Sequence, residues 1–496
     1  MAEAVAGLYA VETLVEGAAV GAFAVSRPTA PLHLGFRRIP PSAKDGGLAR
    51  SGHTLNIVRG KAYVIGGQGQ SSSSSSSEDD SSILAITLPV ASSSDAQEDL
   101  PSDIEIIHPV FKNDNRPLAP NSEPETGSRT SFTFNRTGHT TTAIGDKLYI
   151  WGGKGTTPDQ TVDDVPPQSS DHFVVFDTLT SAYSILPADT TKCRDGLPPP
   201  RTSHSATSTP HPQPGSLPDG PRIDAHGTIF IHGGSANNTT LRDTWAFDVG
   251  SRAWTHFPDI PEPGPSEVAN EGRITYVNSR LWRLGDGFGR AMYLDLAEHD
   301  PAPDPNPHLP GGPMSKDSSV LGVGLKGDGK WQVISFGTEA TGGSSSTSTN
   351  ASSLPMPRLS AGLVPVTTGS GRRYLVYFMG RELKTGLNDF WSFQIQSDDT
   401  SGAGLKDMVR DVVSKAKSSW GSGEHSWAKC EMAKADAKSL TSEEREKRPE
   451  DSSGWPEGLH EFASDVWNDQ GGNVFIIWGG RRGDNAVDEG WAVTVQ

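Results

Sequence analysis

The chain has 496 residues, a formal net charge of −17 and only two cysteines, Cys193 and Cys430. That acidic balance argues against a surface for nucleic-acid backbones or anionic membranes, so neither partner is expected. Two distant cysteines provide neither a disulfide framework nor a Cys-based zinc site, and 55 Gly with 37 Pro assign much of the length to loops.

Residues 1–30, which begin "MAEAVAGLYAVETLVEGAAVGAFAV", are apolar but lack a basic start and carry Glu3, Glu12 and Glu16. This argues against a signal peptide. Leu8, Val11, Val15 and Ala18 share one helical stripe, so a helical or extended segment is expected there. No apolar run of about 18 residues occurs, so no membrane span is expected. The simplest compartment is reducing: the cytoplasm, with the nucleus left open. The sequons at Asn135, Asn237, Asn238 and Asn350 carry no weight without secretion.

"RSGHTLNIVRGKAYVIGGQG" from Arg50 and "RTGHTTTAIGDKLYIWGGKG" from Arg136 share one frame, Arg-x-Gly-His-Thr followed by Gly-Gly. A third copy starts at "RTSHSATSTP" and reaches "GTIFIHGG" after a Pro-rich insertion, then continues "LRDTWAFDVGSRAWTHFP". Copy four is degenerate, "EGRITYVNSRLWRLGDGFGRAMYLDL" with a late "KWQVISF". Copy five is "PRLSAGLVPV", "RRYLVYFMG", "NDFWSFQI" and "HSWAKCEM"; copy six is "LHEFASDVW", "NVFIIWGG" and "EGWAVTV". Each copy reads as four short strands, a to d, by apolar alternation and turn residues.

Serial four-stranded units are the pattern of a β-propeller. The Gly-Gly that ends strand b, the aromatic on strand c and the Trp on strand d resemble kelch repeats, the propeller type shared with galactose oxidase. The resemblance spans residues 31–496. It implies an all-β, six-bladed propeller with blades near 50–110, 136–187, 201–258, 267–336, 358–432 and 460–496. Copy six stops after strand c, so residues 32–39, with Phe36 at the usual Trp place, are expected to supply its strand d.

Low-complexity loops account for the surplus length: Ser71 to Ser77 with Glu78, Asp79 and Asp80, and residues 91–103, 111–130, 156–170, 300–319 and 337–356. Residues 405–452 are charged, and helical spacing of Leu405, Met408, Val412 and Val413 predicts a short helical insertion in blade five.

The repeated residues have structural readings. The glycine pairs allow close packing, Trp245, Trp254, Trp391, Trp427 and Trp491 fill the gaps between blades, and His53, His139 and His204 are expected to bond backbone within their own blades. "GVGLKG", with Gly322, Gly324 and Gly327, lacks the preceding strand and following helix of a dinucleotide loop.

Two chemistries of kelch-type propellers bear on the choice between enzyme and scaffold. Galactose oxidase binds copper with a Tyr crosslinked to Cys, and neither cysteine here has a matching context. Plant specifier proteins hold iron with Glu-x3-Asp-x3-His. Here Glu382 is followed at those spacings by Gly386 and Phe390, and Glu461, Asp465 and Asp469 lack the His. The expectation is therefore a monomeric, non-catalytic scaffold or adaptor without cofactor or metal. A metal-dependent enzyme with other ligands is the alternative.

The residues entering the loops after Gly-Gly are Gln68, Lys154, Ser235, Phe288, Arg381, Arg481 and Arg482. Four are basic, and Arg presents a planar fork to carboxylates and phosphates. This rim is expected to bind an acidic or phosphorylated segment of another protein, unless its cations are occupied by acids such as Asp484, Asp488 and Glu489.

Overall fold

The structure, a computed structural model, describes residues 31–39, 48–69, 82–88, 103–111, 136–155, 171–212, 226–237, 239–261, 272–286, 289–298, 325–327, 329–336, 354–397, 425–432, 454–468 and 471–496. Residues 1–30, the Ser run, Phe288 and most of 405–452 lie outside them; within that last range, Trp427–Lys429 and Glu431–Met432 are strands. Among the described residues there is no α-helix, and none is long and apolar enough to cross a membrane.

Six antiparallel sheets form six blades. Blade one is Thr54–Val58, Lys61–Ile65, Ile83–Thr87 and Asp103–Ile107; blade two is Arg136–Ile144, Lys147–Gly155, His172–Asp177 and Ala182–Pro187. Blade three is Ser205–Thr209, Thr228–His232, Thr244–Asp248 and Ala253–His256. Blade four is Arg273–Val277, Arg280–Asp286 and Arg290–Glu298, against which both Leu325–Gly327 and Gln332–Ile334 pair. The last residues of "GVGLKG" are thus an edge strand rather than the start of a helix. Blade five is Gly362–Thr367, Arg373–Phe378, Phe390–Ile395 and Trp427–Lys429.

Blade six joins both parts of the chain. Ala463–Val466, Val474–Trp478 and Gly490–Val495 are followed outward by His33–Ile39, with Phe36 opposite Val493. This pairing covers what would be an open sheet edge and locks the ring. Two short parallel strands brace neighbours: Val110–Phe111 continues from blade one onto blade two, and Glu431–Met432 from blade five onto blade six.

The core is distributed as six apolar clusters, one at each blade interface. Strand period explains the split, because successive side chains leave opposite faces. In "KLYIW" of blade two, Leu148 and Ile150 join the cluster shared with blade one, whereas Tyr149 and Trp151 join that shared with blade three. A strand covered on both faces reads as an unbroken apolar run. Trp254 does fill a gap between blades, lying 5.6 Å from Trp151 and 5.5 Å from Phe173.

Candidate functional site

The six a strands stand side by side around a central channel, and each is preceded on the same face by its Arg-x-Gly/Ser-His segment or the equivalent stretch of its degenerate copy. At that mouth the channel widens into a cavity of about 220 Å³ reached by His53, His139, His204, Ala361 and Phe462; the opposite end holds about 570 Å³.

The Arg of the repeat is buried and points back into its blade. Arg50, Arg136 and Arg201 donate to the carbonyls of Gly66, Gly152 and Gly233, the first Gly of each pair, and Arg358 to Met379 O at the same place. Arg201 also grips Asp243 at 2.6 and 2.7 Å, and Arg358 grips Asp389 at 2.5 and 3.1 Å. Those carboxylates accept from Trp245 and Trp391 two residues on. Burial pushes both carboxyls up, but the Arg and Trp bonds outweigh it and hold them below the ordinary range.

The repeated histidines act between blades, which corrects the expectation of bonds within each blade. His53 Nε2 meets Trp478 O of blade six at 3.0 Å, and His139 and His204 meet Thr54 and Thr140 of their preceding blades at 3.3 and 2.7 Å. Burial, followed by the charge of the adjacent Arg, lowers His53 to about 4 and His139 to about 3. His204 and His232 are held well below the ordinary value by burial and then by Arg201 and Arg283 respectively.

These rings explain the spacing of His to Gly-Gly. A Cβ on Gly66 would lie 2.6 Å from His139 of the next blade, and one on Gly67 2.7 Å from His53 of its own. Both glycines also have positive φ, so the pair is fixed by backbone as well as by space.

After Gly-Gly the chain turns back on the mouth face, and the expected rim residues occupy equivalent places. Gln68 pairs with Ser51, Lys154 with Thr137, Ser235 with Thr202, Arg381 with Leu359 and Arg481 with His460. Gln68 and Lys154 are exposed and Ser235 is half-buried. The structure brings the Arg residues into one sector, from blade five across blade six to blade one.

Within that sector the cations differ. Arg481 Nε donates to Ser51 Oγ of blade one at 3.0 Å and lies 3.5 Å from Glu461. In blade six Leu459 stands where blades one, two, three and five carry the buried Arg, so Glu489 lacks that partner. Arg482 supplies it from the rim, at 2.9 and 3.1 Å. Arg381 Nε is buried and has no hydrogen-bond partner among the described residues. His460, between Arg381 and Arg481, is lowered by burial and by both charges, against Glu461 and the Gly483 carbonyl.

Sequence reasoning met Asp465 only as part of a carboxylate series without a His, and missed its role. Its carboxylate accepts from Ile57 N of blade one at 2.8 Å and from Val466 N at 2.9 Å. Burial pushes it up to about 6, against those bonds and one from Asn56. It latches the closing interface. Among the described residues no three His, Cys, Asp or Glu side chains gather as metal ligands.

The family model described as Kelch motif matches residues 135–190, the whole of blade two. The chain is a six-bladed β-propeller that carries a Kelch motif in its second blade. No curated protein matches it. A solved structure titled "Structure of YjhT" is similar at 10% identity and a TM-score of 0.41, over 92% of this chain and 99% of that one. In this kelch propeller the motif is fullest in blades one to three. Asp-x-Trp on strand c, at Asp243 and Asp389, was the sequence signal for the buried Arg clamp.

Proposed function

We propose that this kelch propeller is a non-catalytic binding scaffold or adaptor, and that its Gly-Gly face between blades five and six takes an acidic or phosphorylated segment of another protein. The observation that carries the reading is Arg381. Its Nε is buried without a hydrogen-bond partner among the described residues, beside His460 and within electrostatic reach of the site shared with Arg481. The side chain as a whole is half-buried rather than buried, and a carboxylate or phosphate oxygen would pair with its guanidinium through charge-assisted bonds. Arg481 and Arg482 serve the reading less directly, since Ser51, Glu461 and Glu489 occupy them.

Fluorescence polarisation against a panel of fluorescein-labelled acidic and phosphoserine peptides tests this. The expected outcome is a subset whose affinity falls at least about tenfold in Arg381→Gln. Reversing all three Arg charges is a poorer test, because it would set Glu beside Glu461 and Glu489. A panel in which no peptide distinguishes Arg381→Gln from the parent rejects the proposal.

A further inference from the structure

Three blades build the same small hairpin on the mouth face. Its strands are Ser235–Ala236 with Thr239–Thr240, Arg381–Glu382 with Thr385–Gly386, and Arg481–Arg482 with Asn485–Ala486. The first turn residue is left-handed in each: Asn237 at φ 49°, Leu383 at φ 52° and Gly483 at φ 60°. Gly enters that region freely, and Asn does so with help from its short polar side chain. Leu has neither advantage.

Leu383 is also 85% exposed, the most exposed large hydrophobic side chain among the described residues. A lone exposed Leu on a loop needs no explanation. This one occupies a place where the other two hairpins carry residues suited to the turn. Neither local backbone preference nor burial accounts for Leu there. Strain retained at a surface turn is a pointer to function.

The surroundings give the chemistry. Leu383 stands two residues beyond Arg381, whose Nε has no partner among the described residues, and one before the exposed Lys384. The hairpin's base abuts the segment that enters blade six, where a Cβ on Gly386 would collide with the Gly458 carbonyl. The tip is therefore held on the Arg381–His460–Arg481 sector. We infer that Leu383 is an apolar anchor, and that the segment bound here carries a bulky apolar side chain beside its acidic groups. The apolar residue packs on Leu383 while a neighbouring acid pairs with Arg381. This rests on the rim reading above and narrows it from an acidic segment to a mixed acidic and apolar one.

The test pans a random twelve-residue peptide library on the full chain and measures the recovered peptides, labelled with fluorescein, against Leu383→Asn and Arg381→Gln. The expected result is Asp or Glu next to Leu, Phe or Trp, with at least about tenfold weaker binding to each variant. Leu383→Asn should melt at or above the parent temperature, because Asn suits the turn. A library yielding no peptide whose binding depends on Leu383 overturns the inference. Dependence on Arg381 without Leu383 would sink this inference alone, and dependence on neither would sink the rim reading as well.

Discussion

Blades one to three and blades four to six solve the same packing problem with different residues. In the first half, a buried His at the start of each inner strand reaches the preceding blade, and glycine pairs make room for it. In the second half blade four sends Arg283 to His232 of blade three at 2.7 Å, while Ala361 and Phe462 occupy that place in blades five and six, where Phe378 stacks on Phe462 at 5.6 Å. The destinations of arginine differ as well. Arg50, Arg136 and Arg201 are all spent inside their blades, whereas blades five and six also place Arg381, Arg481 and Arg482 on the rim. The half with the regular motif is the one tied to structure, and the rim chemistry gathers where the motif degenerates.

Ring closure is common to both halves and gives the largest expected effect. Deleting residues 1–39 removes the outer strand of blade six and its contacts with Val493 and Val495. Thermal unfolding followed by near-UV circular dichroism should lose its cooperative transition. A truncated chain that melts like the parent would show that the two halves hold together without that strand.

Glycine substitutions sharpen the contrast between interfaces with and without the repeated His. Gly66→Ala places a Cβ 2.6 Å from His139, whereas Gly233→Ala, at the interface with blade four, meets among the described residues only Leu241 O at 3.3 Å. Both carry positive φ. Backbone strain of about 1–3 kcal/mol applies to each, and the clash adds to it only for Gly66. Urea midpoints should fall further for Gly66→Ala; equal losses would remove the special role given to His139.

Acid should act chiefly on the latched half. The native values of His53 and His139 lie near 4 and 3, below the ordinary 6.5. The unfolded chain therefore binds protons first, and stability present above pH 6.5 is lost as pH falls toward 4. Urea midpoints measured from pH 7.5 to 4.5 should drop, and His53→Gln should flatten the curve. Asp465 works in the opposite sense. Its value of about 6 exceeds the ordinary 3.8, so its contribution favours the native state at low pH and is lost as pH rises through 6. Relative to the parent, Asp465→Asn should gain on the order of 1–3 kcal/mol between pH 4 and pH 7. A pH-independent difference would mean that the carboxylate ionises as freely as in water.

The fold was legible because its signals recur: His53 and His139 keep the same distance to their glycine pairs, and Trp254, Trp427 and Phe36 mark the outer strands of blades three, five and six. The rim was legible as position, since the residue after Gly-Gly begins the hairpin. Pairing was not legible. His53 bonds a carbonyl 425 residues away, Ile57 a carboxylate 408 away and Arg481 a hydroxyl 430 away, so no local pattern encodes them. The absence of the buried Arg at Leu459, which leaves Glu489 to the exposed Arg482, became interpretable only once the strands were in register.

The central claim is that the binding chemistry sits on the degenerate half, and a matched pair of neutralised rim cations tests it most directly. Arg381→Gln lies on blade five and Lys154→Gln at the equivalent place on blade two, where the side chain is exposed. The account predicts that an acidic peptide bound by the parent loses at least about tenfold in affinity with Arg381→Gln and changes less than about twofold with Lys154→Gln. Both variants should melt within about 2 °C of the parent. Equal losses from the two, or a loss from Lys154→Gln alone, would contradict it.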